Sequence, residues 1–241
     1  MTLSFESFVL AAATADLGAE PAAREDADAV EFRMDLASDP LDALAAYDGD
    51  LSLIATNRPT WEGGEAAEGP ERLDALRAAA EHDAVGAIDV ELATVERGAA
   101  DPGGADEDLD GEDVLSHARA NDTAVIVSTH DFERTPHRDQ LRELLADAAS
   151  AGDVAKLAVT AEGPGDVLDL LAATWDATTA GETVATMAMG EAGRHSRAVA
   201  PLYGSRIGYA PVDPAEATAP GQYDLTTLRE LIDALAGESQ S

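Results

Sequence analysis

Eight short, β-rich apolar runs alternate with longer stretches of helical period along this chain, and that alternation restricts the fold more than any other feature. The runs are SFVLAAATA (7–15), AVEFRMDL (29–36), LSLIATNR (51–58), AVGAIDVEL (84–92), TAVIVSTHDF (123–132), DVAKLAVTA (153–161), ETVATMAMG (182–190) and SRIGYAPV (205–212). Segments such as ERLDALRAAAEH, RDQLRELLADAASAG and GDVLDLLAATW lie between them, with apolar residues three and four apart. A last helical pattern, LTTLRELIDALAG, stops at a glycine. Strands that alternate with helices at roughly one pair per 20 to 35 residues point to a parallel sheet. Eight of them favour closure into a (β/α)8 TIM barrel over an open doubly wound sheet. No G-x-G-x-x-G follows the first run and no G-x-x-x-x-G-K occurs, which weakens a nucleotide-binding sheet. The expectation is an α/β chain forming a single barrel domain over residues 1–241.

Composition narrows the partners. A formal net charge of −33 would repel nucleic acid, and no basic stripe interrupts it. Disorder, the other reading of so acidic a chain, is opposed by the regular apolar runs. In molar salt the Debye length is about 3 Å, so surface carboxylates barely repel one another there. An acidic chain that favours arginine over lysine is therefore expected to be halophilic and to suffer self-repulsion at low ionic strength. The chain has no cysteine, which removes disulfides, thiolate metal sites and thiol nucleophiles. It has no apolar run near the roughly 20 residues of a membrane span. Its start, MTLSFESFVLAAATADLG, lacks a basic opening and carries Glu6, unlike a secretory signal. A soluble cytoplasmic protein, engaging neither membrane nor nucleic acid, is expected.

One segment, RGAADPGGADEDLDGEDV (97–114), departs from the alternation. Asp106, Asp108, Asp110 and Gly111 are in step for a calcium loop, but the twelfth position is His117 where a bidentate glutamate belongs. It reads as a solvated acidic loop, and no metal is assigned.

Parallel strands buried on both faces read as nearly continuous apolar runs, so polar residues within them need a reason. Here they gather at the carboxyl ends: Glu31, Arg33 and Asp35; Arg58; Asp89 and Glu91; His130 and Asp131. In a barrel those ends converge on the mouth where active sites are built. Period two puts Glu31, Arg33 and Asp35 on one side of their strand, and aligns Asp89 with Glu91. Internal ion pairs and a hydrogen-bonded strand-end histidine are the structural alternatives. Lys156 is the only lysine beside fourteen arginines. It could be a snorkelling strand-end residue, but a lone survivor suggests a task arginine cannot perform. Burial lowers a lysine pKa and exposes a nucleophilic amine, whereas arginine stays protonated. Such an amine condenses with a ketone or aldehyde to an iminium, an electron sink for a neighbouring carbanion. A histidine one strand away could take the proton as a general base. The spacing suggests a Schiff-base lyase or aldolase.

The chain resembles the type I 3-dehydroquinate dehydratases. EFRMDL matches the E-[WF]-R-x-D strand, TNRPTWEGG the T-x-R-x-x-x-E-G-G segment and IDVEL the fourth strand. STHDFERTP matches S-x-H-D-F-x-x-T-P and AKLAV the lysine strand; MAMGEAGRHSR, GSRIGYA and TAPGQ then follow in order. The resemblance implies that Lys156 forms an imine with the C3 ketone of 3-dehydroquinate. It implies His130 as general base and acid, with Glu62 orienting it. Glu31, Phe32, Arg33 and Arg58 would contact the substrate, with Glu31, Arg33 and Arg58 on the ring hydroxyls. Arg197 would pair with the substrate carboxylate. Thr218 and Gln222 would close over the ring, and Met187 and Met189 would pack near the imine. The product would be 3-dehydroshikimate, an intermediate of aromatic amino acid biosynthesis by the shikimate pathway, made with no metal or nucleotide cofactor. A member from a halophilic archaeon, possible as a homodimer, is the expectation. Thr129, Tyr209 and Thr218 stand where asparagine, phenylalanine and serine are usual. A Schiff-base aldolase on the same barrel, or an inactive acidic binding protein, are the rival readings.

Overall fold

In the computed structural model, which describes residues 3–100, 111–213, 215 and 221–237, every apolar run becomes a strand. The strands are β1 (Val9–Thr14), β2 (Ala29–Arg33), β3 (Ser52–Thr56), β4 (Val85–Glu91), β5 (Ala124–Asp131), β6 (Val154–Thr160), β7 (Val184–Met189) and β8 (Ile207–Pro211). The paired strands run parallel, in the spatial order β7-β6-β5-β4-β3-β2-β1-β8. The seam between β7 and β8 is held by a bridge from Val184 to Ser205 and a 2.7 Å bond from the Arg206 amide to the Val184 carbonyl. The sheet thus nearly closes on itself as a (β/α)8 barrel.

Helices α1 (Pro40–Ala45), α2 (Pro70–Ala80), α3 (Leu92–Ala100), α4 (Gly111–Ala120), α5 (Arg138–Ala151) and α6 (Pro164–Thr179) alternate with the strands. Two short turns, α7 (Gly190–Gly193) and α8 (Ser196–Val199), precede β8, and α9 (Leu225–Ala236) follows it. Asp224 caps α9 by accepting from the Thr227 amide at 2.9 Å, and Gly237, at φ +74°, ends it as the pattern implied. The β1–β2 connection holds only a 3-10 turn, Leu17–Ala22, which contains Pro21. The calcium-like residues Asp106, Asp108 and Asp110 lie outside the described residues. Among the described residues, no helix is long and apolar enough to cross a membrane.

Period two sorts the strand residues into two cores. Val30, Phe32, Leu53, Ile88, Val127 and Leu157 face the helices; Ala11, Ala29, Ile54, Ala87, Ile126 and Val154 fill the barrel. The register slips once. Leu53 pairs with Val85, but the next residue, Ile54, pairs with Ala87, leaving Gly86 as the extra residue of a bulge. A Cβ on Gly86 would lie 2.6 Å from both the Leu3 Cβ and the Ser52 Oγ. The bulge reverses the strand's phase, because a one-residue slip exchanges the two faces. Without it Asp89 and Glu91 would point at the helices; with it they point inward.

Candidate active site

At the carboxyl ends of the strands the barrel opens into a cavity lined by Glu31, Arg33, Arg58, Glu62, His130, Lys156, Arg197 and Gln222. Eight of the expected residues therefore share one site, although they come from segments spread over most of the chain. Thr218 lies outside the described residues. Phe32 requires a correction: alternation along β2 turns its ring outward, fully buried in the helix-facing core, while Glu31 and Arg33 face the cavity. Asp35 also departs from the expected period. The chain leaves β2 at Arg33 and enters a 3-10 turn over Met34–Leu36, which folds the Asp35 carboxylate back onto Arg33 as a bidentate pair at 2.9 and 2.7 Å.

Lys156 is 4% exposed. Its Nζ donates to Asp89 Oδ2 at 2.8 Å, lies 3.6 Å from Glu31 Oε1, and sits 4.2 Å above the centre of the Tyr209 ring. Asp89 divides its oxygens: Oδ2 meets the amine, and Oδ1 accepts from Arg58 at 2.8 Å and from the Ser128 hydroxyl at 2.6 Å. Arg58 also donates to Glu91 at 2.8 Å and Ser128 at 2.6 Å. Glu91 in turn accepts from Arg72 on α2 at 2.9 Å. Burial alone would raise the Asp89 carboxyl, but Arg58 and Lys156 outweigh it and hold the group well below the usual carboxylate range. The amine is thus buried as expected, and in addition is held by a counter-ion that is itself fixed by a chain of charges.

His130 lies on β5 beside β6, where Ser128 is paired with Lys156 and His130 with Ala158. Since both side chains point inward, the imidazole stands one layer nearer the mouth than the amine. Burial, reinforced by Arg58 and Lys156, pushes His130 well below its ordinary value. Glu62 Oε1 accepts from the His130 amide at 2.7 Å and lies 3.3 Å from its Nδ1. Burial raises the Glu62 carboxyl to about 7, against the opposing pull of Arg58. Gly63, at φ +80°, turns the chain just after Glu62, and a Cβ there would lie 2.4 Å from the Phe132 ring. Phe132 in turn stacks on His130, with ring centroids 6.0 Å apart.

Arg197 is 4% exposed and makes no ion pair among the described residues; burial brings its guanidinium down to about 10. Its Nε, the Glu62 Oε2 and the Tyr209 hydroxyl, all on residues that line this cavity, are buried without a hydrogen-bond partner among the described residues. Leaving such groups unpaired costs about 1–3 kcal/mol each, a cost that a polar ligand would offset. Met187 and Met189 line the same space.

Period two aligns Asp89 with Glu91 without giving either a role, Ser128 opens the S-x-H-D-F match without one, and nothing in the sequence singles out Arg72. Ser128 sits on the inward face two residues before His130, a period-two signal that was open to notice. Arg72 carried none, because a helical arginine in an ERLDALR pattern looks like any surface residue.

Comparison with known proteins follows the same lines. The model of the family described as Type I 3-dehydroquinase matches residues 11–239. The 3-dehydroquinate dehydratase of Haloarcula marismortui is 60% identical over 98% of this chain and all of its own length. That of Halobacterium salinarum is 53% identical over 95% of this chain and 98% of its own. Among solved structures, 3-dehydroquinate dehydratase from Geobacillus kaustophilus superposes with a TM-score of 0.82 at 26% identity, covering 98% of this chain and 93% of that one. With its barrel, its inward-facing lysine and histidine and these relatives, the chain belongs to the type I 3-dehydroquinase family.

Proposed function

We propose that this cavity binds 3-dehydroquinate and dehydrates it through an imine on Lys156. As a type I 3-dehydroquinate dehydratase, the chain is a hydro-lyase that yields 3-dehydroshikimate and water. In the proposed sequence, Lys156 Nζ first gives a proton to water, the free amine attacks the C3 carbonyl carbon, and the resulting carbinolamine takes a proton on its hydroxyl and loses water to give an iminium. His130 takes the C2 proton, and the C–H electrons form the C2–C3 double bond as the iminium becomes an enamine. His130 then gives that proton to the departing C1 hydroxyl, the C1–C2 double bond forms, and water hydrolyses the imine to free the amine. A general base so placed contributes typically 10²–10⁴-fold.

The observation that carries the reading is a buried amine and a neutral-leaning imidazole facing one cavity from adjacent strands. Glu62 orients the ring: when Nδ1–H donates to it, the Nε2 lone pair is left for the substrate proton. Glu31 and Arg33 take the ring hydroxyls together with Arg58, whose guanidinium is already anchored to Asp89 and Glu91. Arg197, a buried cation with no ion-pair partner among the described residues, takes the substrate carboxylate as a charge-assisted pair. Gln222, with Thr218, would cover the ring. Self-association into homodimers belongs to the same reading; sedimentation in molar KCl at the monomer mass would remove it.

Reductive trapping tests the chemistry. Borohydride added with 3-dehydroquinate in molar KCl should leave the reduced substrate's mass on Lys156. Lys156→Ala should give no adduct, and His130→Ala should still trap while product enone absorbance rises at least a hundredfold more slowly. An adduct persisting in the lysine variant overturns the assignment. Trapping of a simple aldehyde but never of 3-dehydroquinate would favour the aldolase, and an inert Lys156 the binding protein.

A further inference from the structure

We propose that Arg194 and Tyr223 form a latch that sets how far Gln222 reaches into the cavity, which makes both of them positioning residues for substrate binding. The proposal rests on the cavity being the substrate site. The Arg194 guanidinium lies over the Tyr223 ring, 4.2 Å from its centroid. Tyr223 is the residue after Gln222, and Gln222 lines the cavity. On the other side of Gln222, Gly221 adopts φ +78°; a Cβ there would lie 2.5 Å from the Gly190 carbonyl oxygen and 3.6 Å from the Arg194 Cβ. Gln222 is therefore held between two contacts to a single segment. One is a backbone approach that only glycine permits, and the other is an arginine stacked on an aromatic face.

That segment also carries the buried cation of the site. Arg197 follows Arg194 by three residues, its amide bonded to the Arg194 carbonyl at 3.3 Å. The short Gly190–Val199 stretch thus places Arg197 directly and Gln222 by way of the latch, so the two groups keep a fixed relation across the mouth. A stack suits this task in a chain of net charge −33. A guanidinium is weakly hydrated and packs flat against a ring, and the contact leaves no gap for a screening counter-ion. Asp224, which caps α9, adds a nearby negative charge.

The test compares Tyr223→Leu, which removes the ring face but stays apolar, with Tyr223→Phe, which keeps the face. In molar KCl, Tyr223→Leu should raise KM for 3-dehydroquinate about tenfold with kcat within twofold, because Lys156 and His130 are untouched. Tyr223→Phe should stay within twofold of the parent in both. Arg194→Gln should reproduce the KM rise, and adding it to Tyr223→Leu should raise KM no further. In a Gln222→Ala background, Tyr223→Leu should have no added effect. An unchanged KM in Tyr223→Leu, a Tyr223→Phe as weak as Tyr223→Leu, or an additive effect over Gln222→Ala overturns the latch. Those results would come from a parent that turns over 3-dehydroquinate; a parent that does not would overturn the substrate assignment instead.

Discussion

Arg58 and Arg142 carry the same group into opposite surroundings. Arg58 is 4% exposed and makes 2.8 Å contacts to both Asp89 and Glu91. Arg142, 55% exposed on α5, lies 4.0 Å from Asp139 and 3.6 Å from Asp176. At the mouth, acids and bases are nearly matched and the close pairs are buried or nearly so. On the outside, acids dominate the −33 total and water with salt separates them. The contrast teaches that net charge and site charge are independent variables. In molar salt the screening length of about 3 Å erases distant repulsion but leaves contacts between desolvated groups intact. An acidic protein can therefore still offer cations inside, and Arg33, Arg58 and Arg197 line the cavity.

The largest effect expected of this contrast comes from breaking the inner set. Arg58→Ala removes the cation shared by two buried carboxylates, leaving Asp89 with Lys156 alone and Glu91 with Arg72 alone among the described cations, and should cost about 3–5 kcal/mol. The measurement is urea unfolding in molar KCl, and the deficit should change little with salt. A loss under 1 kcal/mol would erase the distinction between the two populations. Next comes the outer set, taken as a whole. Like-charge neighbours on a helix cost about 0.2–0.5 kcal/mol each when unscreened, and many such pairs add to a few kcal/mol. The melting temperature should fall as KCl is lowered from molar to millimolar. A melting temperature unchanged over that range sinks the halophilic reading.

How far this contrast could be seen in advance differs between its halves. The acidic exterior and the barrel were legible, because composition and period depend on local sequence alone. Lys156 was legible through its uniqueness, and His130 through the polar end of an apolar run. The inward aim of Asp89 and Glu91 depends on the bulge at Gly86. Spacing within the run is blind to that, although an isolated strand glycine is a known hint of one. Asp35 and Phe32 were misjudged because the period was carried past the strand's end in one case and ignored in the other. The Arg72–Glu91–Arg58–Asp89 chain joins α2 to two strand segments, and no local pattern announces a contact between residues so far apart.

Titration should separate the mouth from the surface more gently. Glu62 rises from an ordinary 4.5 to about 7 in the fold, so its protonated form favours the folded state. Its contribution is complete below pH 4.5 and is lost as the pH climbs through about 7, an effect on the order of 1–3 kcal/mol. His130 is lowered from 6.5, so its neutral form favours folding; that contribution is present above pH 6.5 and fades as the pH falls. Glu62→Gln should flatten the loss of stability between pH 5 and 8 in molar KCl. An identical pH profile in parent and variant would mean that Glu62 titrates like a surface acid, and the mouth would lose its special status at that residue.

The smallest effect is expected on the outside, and it is informative because it is small. Arg142→Ala removes one of only fifteen cations and opens contacts to Asp139 and Asp176. Intuition for an acidic surface would make every cation precious. However, Asp176 keeps Arg138, whose NH2 lies 2.5 Å away, and the Asp139 contact is at the outer limit of an ion pair. Exposed pairs contribute about 0–1 kcal/mol even without salt, so in molar KCl the change should stay within about 0.5 kcal/mol. At low salt the same variant should lose more, because the cation then offsets unscreened neighbours. A deficit above 1 kcal/mol in molar KCl, matching that of a buried pair, would show that exposure does not divide the two populations of charge.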